Sequence, residues 1–313
     1  MSGPAQLPQQ ILTFALPLAA GFALGRTRSW TQRDTNTLSR LTVDVLLPAL
    51  VIRALAFDTS LDVLRQAPLL VACGYGSLLF GAAVAYPVSL LVTTERRQRV
   101  AFLVIAGLSN TAFLGFPILY GLYGHEALAR AVLYDFGLTV AMYSAGLWML
   151  GLVGDASPGE SLKDLTHSPI FWAFAFGLVV LILQIQLPDV FRKALDPLAQ
   201  ASVPVALLVI GCGISVVDDS PVPRKRAVVA LDITRLLLIP LVGFAVLRAL
   251  GVRGLNLNVI VLQLAMPASV TGSVLAGEMT GQMTLASRTV ATSTLLAVAT
   301  IPLWVEILSL LAH

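Results

Sequence analysis

AFLVIAGLSNTAFLGFP, residues 101–117, and VIVLQLAMPASVTGS, residues 259–273, are apolar runs that break at their middles and then resume. The first is apolar to Leu108, turns polar at Ser109-Asn110-Thr111 and recovers to Pro117. The second is apolar to Met266, meets Pro267, and continues through Ser269, Thr271, Gly272 and Ser273. The breaks are thus placed at 109–111 and 266–271. Pro48 and Pro204, each inside an earlier apolar run of its own half, lie 156 residues apart, and the same offset carries Asn110 to 266, beside Pro267. One polar break in one span is ordinarily a kink or a small-residue packing motif. Two breaks at matched positions are the sequence pointer to a ligand site built from half-helices.

The composition sets the surroundings of those breaks. The chain of 313 residues is 57% apolar and only 12% charged, with a mean hydropathy of +0.85. Soluble domains carry about 25% charge, so an all-α polytopic membrane protein is expected. A hydrocarbon core of about 30 Å takes roughly 20 apolar residues per helix. Ten runs qualify: 8–25, 39–57, 67–92, 100–121, 127–153, 169–186, 197–216, 227–250, 257–278 and 286–311. The most polar stretch, around Asp155, Glu160, Lys163 and Asp164, divides them five and five. This gives a first five-helix repeat over 1–153, a cytoplasmic midpoint loop over 154–168 and a second repeat over 169–313. An odd number per half makes the second repeat inverted, with the broken segments four and nine facing each other across an axis in the membrane plane. The support is hydropathy and the shared offset, not residue identity between halves.

The first segment does not read as a cleavable signal, because no Lys or Arg precedes Arg26. Arg26, Arg28, Arg33 and Arg40 follow it and place its C-terminal end in the cytoplasm. With that orientation twelve basic residues fall on the inner side and seven on the outer side, Arg235 being left within a span. The expectation is an inner-membrane protein with both termini outside the cytoplasm. The pI near 9.1 follows from these juxtamembrane loops, so no nucleic-acid partner is read. Cys73 and Cys212 read as small buried apolar residues without metal-ligand spacing.

Running outward and inward respectively, segments four and nine each begin a second half-helix near mid-membrane. Each N-terminus presents unpaired N–H groups and about half a positive charge. Two such ends make an anion site without a formal cation. Asn110 reads as the N-cap of its half-helix, and Thr111, Ser269, Thr271 and Ser273 as donors to a carboxylate. Ionisable residues within spans are functional candidates. Asp135, Asp44 and Asp232 are the coupling or proton-carrying candidates, Asp135 heading a polar stripe with Thr139 and Tyr143. Asp232 and Arg235, three apart, can pair on one helix. Thr289, Thr292, Ser293 and Arg288 give segment ten a polar face, while Arg53 reads as a solvated helix end.

The string LSNTAFLGFPILYGLYG, Leu108 to Gly124, resembles the fourth segment of the auxin efflux carrier family, which holds plant PIN-type exporters and bacterial permeases. LAMPASVTGSVLAGEM, Leu264 to Met279, is similar to its ninth segment, and LPAL after a basic loop and TIPLW near the C-terminus extend the likeness along the chain. The resemblance implies the bile-acid-symporter-like fold of ten spans, with segments 1, 2, 6 and 7 as scaffold and the rest as transport domain. It further implies elevator-like movement and organic-anion substrates such as auxin-like monocarboxylates or dicarboxylates. By the same analogy Asn110 contacts the carboxylate and Pro267 holds the second crossover open. Ser109 replaces the proline that precedes this asparagine in the plant exporters, so side-chain bonding is expected to hold the first break.

The reading is therefore a secondary transporter with no cofactor and no metal, coupled to protons or sodium if it imports. A homodimer is among the assemblies it allows. A membrane-embedded ligand sensor that moves nothing is the alternative. No Gly-rich Lys-Ser/Thr nucleotide loop is present, Asp218-Asp219 is the single adjacent Asp pair, and His125-Glu126 lacks the second histidine of a metalloprotease helix. An enzyme is not expected.

Overall fold

Helix occupies the greater part of each of the ten apolar runs. The computed structural model describes residues 7–27, 30–59, 61–153, 168–215 and 225–311. The midpoint loop from Gly154 to His167, and Asp218-Asp219, lie outside the described residues. In chain order the helices are α1 (Leu7–Gly25), α2 (Gln32–Leu41), α3 (Leu47–Phe57), α4 (Leu61–Val92), α5 (Arg96–Gly107), α6 (Phe116–Tyr123), α7 (His125–Ala141) and α8 (Leu147–Gly151). Then come α9 (Pro169–Ile182), α10 (Asp189–Ser215), α11 (Lys225–Ile233), α12 (Ile239–Ala249), α13 (Gly254–Ala265), α14 (Val270–Thr280) and α15 (Met283–Leu311).

Among the described residues, four stretches, Asp62–Val92, Asp189–Gly213, Lys225–Ala249 and Met283–Leu311, are long and apolar enough to cross a membrane. At 25 to 31 residues and about 1.5 Å per residue they exceed the ~30 Å hydrocarbon core. Leu91, Leu250 and Leu310 are exposed large side chains on this helical surface, as lipid contact permits and water does not favour.

Four π-helical turns interrupt the long helices: Thr42–Leu46, Thr111–Gly115, Met142–Gly146 and Thr234–Leu238. Three of them start at a threonine six residues before a proline: Thr42 and Pro48, Thr111 and Pro117, Thr234 and Pro240. A proline ring collides with the carbonyl four residues earlier and supplies no N–H to it. Widening the preceding turn relieves the collision, and the orphaned carbonyl needs another donor. For Pro240 that carbonyl is Leu236 O, and the Trp304 indole N–H donates to it at 2.8 Å. Pro204, by contrast, lies within the unbroken helix α10.

The chain divides into two compact units. One comprises Met1–Gln66, Ala112–Val132 and Thr166–Asp218. Its tightest packing joins α1 to α10, where a Cβ on Gly21 would stand 2.1 Å from Leu208 O and one on Gly211 2.1 Å from Leu18 O. Small residues let backbones approach this closely where water supplies no driving force between helices. Arg53, read from sequence as solvated, is instead mostly buried and donates to both Asp58 and Asp196. His125 Nδ1 lies 2.8 Å from the same Asp58 carboxylate.

The other unit comprises Ala67–Thr111, Leu133–Leu165 and Asp219–His313. Here α4 meets α7 backbone to backbone: a Cβ on Gly74 would stand 1.9 Å from Tyr134 O, and one on Gly137 2.1 Å from Val71 O. The helix after the second break, α14, packs on α15 and on α5, the helix before the first break.

Gly137→Ala should lower the thermal midpoint of the detergent-purified protein, overpacking costing about 1–3 kcal/mol. Gly76→Ala, on the same α4 but facing open space, should leave the midpoint unchanged or raise it, and equal losses in the two variants would refute the close-packing account.

Candidate functional site

The two sequence breaks are real interruptions of helix, each slightly displaced from its expected bounds. Helix α5 ends at Gly107, and Leu108 turns extended at φ −99°, ψ 112°. Residues 108–110 are non-helical and Thr111 already opens the next helical turn. Helix α13 ends at Ala265, and Met266 is extended at φ −64°, ψ 148°. That conformation follows from Pro267, whose Cδ excludes the α region for the residue before it. Helix resumes at Val270, so Thr271 belongs to the first turn of α14.

The two extended segments pair with each other. Ser109 and Ala268 form an isolated antiparallel bridge. Asn110 N–H donates to Pro267 O at 2.8 Å, and Ser269 N–H donates to Leu108 O at 2.9 Å. Ala268 N–H donates to Ser293 Oγ on α15 at 3.2 Å. Each break thereby supplies hydrogen-bond partners that the other lost when its helix stopped, which matters where lipid offers none. Gly272 admits this approach, since a Cβ there would stand 2.5 Å from Leu108 Cδ1.

The C-terminal ends of the interrupted helices converge on one side chain. Arg235, on the π-turn Thr234–Leu238 and fully buried, donates Nη1–H to Ala106 O at 2.6 Å, Nη2–H to Leu264 O at 2.6 Å and Nε–H to Met266 O at 2.9 Å. Its expected pairing with Asp232 does not occur among the described residues. Asp232 accepts from Thr292 Oγ1 at 2.6 Å instead, and its other carboxylate oxygen is buried without a hydrogen-bond partner. Carbonyls at two helix ends won the guanidinium because each end carries about half a negative charge. The reading of the breaks as free of formal cations is corrected accordingly.

Two further expectations fail. Asn110 occupies the N-cap position of the helix starting at Thr111, yet its side-chain amide makes no hydrogen bond among the described residues, although the residue is 7% exposed. The capping side chain is in the second break, where Ser269 Oγ accepts from Gly272 N–H at 3.2 Å. Ser109 does not hold the first break by side-chain bonding, for its buried hydroxyl has no partner. The backbone bridge and Arg235 hold it.

The other candidates distribute as follows. Ser109, Asn110, Thr111 and Pro267 are buried together at the bridge, Ser269 is half-buried and Thr271 is exposed. Thr42 and Thr234 return their hydroxyls to the carbonyls four residues earlier, at 2.8 and 2.7 Å. Thr111 has no helical turn before it, and its hydroxyl donates to Asp135. Asp135 is thus one hydrogen bond from the first break. Asp44 is exposed in the other compact unit. The hydroxyls of Ser273 and Thr289 are fully buried without hydrogen-bond partners. Arg235 and Ser293 are the residues whose roles the sequence reading missed. An arginine alone inside a span was the available signal for the first. Among the described residues, no group of three or more His, Cys, Asp or Glu side chains gathers as a metal site.

Two stretches, residues 9–161 and 156–305, match the family model described as "Membrane transport protein". An uncharacterized transporter of Methanothermobacter thermautotrophicus is 27% identical over 308 residues, covering 96% of this chain and 98% of the relative. One of Methanocaldococcus jannaschii is 23% identical, with 87% and 89% covered. The uncharacterized transporter YfdV of Escherichia coli K12 is 22% identical, with 95% and 96% covered. With nearly its whole length matched, the chain belongs to the membrane transport protein family, that of the auxin efflux carriers: it is an integral membrane transporter, not an enzyme.

Proposed function

We propose that this protein is a secondary transporter for a small organic anion, an auxin-like monocarboxylate or a dicarboxylate, bound where segments four and nine break. The observation that carries the reading is the backbone bridge between the two breaks, with Asn110 beside it and its side-chain amide bonded to no described residue. A carboxylate is the complementary partner. It would also accept from the first turn of α14, whose N–H end carries about half a positive charge. Ser109, Thr111, Pro267, Ser269 and Thr271 complete the proposed lining.

The architecture that goes with this reading is two inverted five-helix repeats, 1–153 and 169–313, joined by a cytoplasmic loop, with both termini outside. The compact unit holding both breaks is the candidate transport domain of an elevator-type mechanism. Without a nucleotide loop, transport draws on gradients. A potential of 100 mV is worth about 2.3 kcal/mol per charge, so inside-negative polarity drives an anion outward and opposes uptake. Uptake needs a proton or a sodium ion. Asp135 is the preferred proton carrier over Asp44 and Asp232, because Thr111 joins it to the break. A sensor that binds the same ligand without moving it is separated from this reading by flux.

In proteoliposomes, counterflow of indole-3-acetate or malate is expected for the wild type. Asn110→Ala should weaken apparent affinity tenfold or more, about 1.4 kcal/mol, at an unchanged thermal midpoint. Binding without flux favours the sensor, and an Asn110→Ala variant with unaltered affinity and flux sinks the site. Asp135→Asn should retain counterflow while losing acceleration by an imposed pH gradient; persistence of that acceleration removes Asp135 as proton carrier. Alkaline phosphatase fused at the C-terminus should be active in bacterial cells, whereas an inactive fusion with a folded membrane part reverses the orientation.

A further inference from the structure

Without Arg235 the helix ends around the bridge balance one another. Four helix ends meet the breaks: the C-termini of α5 and α13, and the N-termini of the helices beginning at Thr111 and Val270. At about half a unit each, two negative and two positive ends sum to about zero. Dipoles alone therefore give the bridge no net charge. Arg235 changes the sum. Its guanidinium sits against Ala106 O, Leu264 O and Met266 O, all at the negative ends, and among the described residues no carboxylate bonds it. Asp232, the nearest acid in sequence, is engaged by Thr292. One fixed positive charge, always protonated in proteins, cancels the two carbonyl ends; of the two N–H ends, the one at Thr111 has Asp135 one hydrogen bond away, and the one at Val270 is left uncompensated.

We propose that Arg235 sets the anion preference of the break pair, acting through the helix ends that it neutralises rather than by touching the ligand. The inference rests on the reading of the breaks as an organic-anion site and deepens it. It makes Arg235 a positioning and charge-setting residue. A purely mechanical tether would hold the carbonyls equally well for a neutral ligand. A charge-setting residue discriminates a carboxylate from its uncharged amide. The low dielectric of a buried site lets a fixed charge act beyond its hydrogen-bond partners.

The test measures dissociation constants of indole-3-acetate, malate and the amides of both for wild type, Arg235→Lys, Arg235→Gln and Asn110→Ala, with thermal midpoints recorded for each. Wild type should prefer acid to amide. Arg235→Lys should keep that preference within about threefold, while Arg235→Gln should lose it by about tenfold or more, with amide affinity held within about threefold. The proposal is overturned if Arg235→Gln keeps the wild-type preference, if acid and amide weaken in equal proportion, or if neither Arg235 variant folds. Loss of acid binding in Asn110→Ala beside an intact preference in Arg235→Gln discards the charge assignment alone. A wild type that binds neither acid discards the anion reading, and this inference with it.

Discussion

A helix that stops inside a membrane strands carbonyls at one end and N–H groups at the other, and this protein stops two helices in one place. The rest of the site depends on how those groups are satisfied. Residues 108–110 and 266–269 borrow the solution used by β-sheet, exchanging N–H and C=O across a single antiparallel bridge. Arg235 takes three of the carbonyls. Neither device suffices alone. A bridge without the guanidinium leaves buried carbonyls unbonded, and the guanidinium without the bridge leaves the N–H groups of Asn110 and Ser269 without their partners. Buried arginine is costly unless its charge is compensated, and here two helix ends supply about the opposite charge.

The threonine–proline spacing is a second recurring device. Proline obstructs the turn before it, the turn widens, and one carbonyl is released from the helical ladder. At Pro48 and Pro240 the threonine that opens the widened turn bonds back into its own helix. At Pro117 the same residue type opens a helix that has nothing before it, and its hydroxyl turns to Asp135. One local pattern thus yields a structural contact twice and a candidate coupling contact once. The difference comes from what precedes each threonine.

Much of this was legible in the sequence for simple reasons. Apolar runs of span length map onto helix because lipid demands it, and Pro267 must extend Met266. What the sequence could not convey was competition between partners. Asp232 and Arg235 are correctly spaced to pair, yet a carbonyl cluster that includes Ala106 O, 129 residues away in sequence, claims the arginine. Asn110 stands where a cap belongs, but Ser269 performs the capping in the other break. Ser109 suggested side-chain bonding, and the neighbouring segment's backbone does the holding instead. Each miss substitutes a long-range partner for a local one, and helical spacing carries no information about long-range partners.

The indole of Trp304 reaches Leu236 O, one residue beyond Arg235, on the carbonyl that Pro240 leaves orphaned. The last helix is therefore latched to the turn that bears the guanidinium, while Ser293 on the same helix accepts from Ala268. A helix fastened at both of these heights is not free to slide or roll by itself. Any shift of the C-terminal rod drags the arginine's turn and the second break along with it, so this terminal element behaves as a splint for the charged centre and not as a peripheral wall.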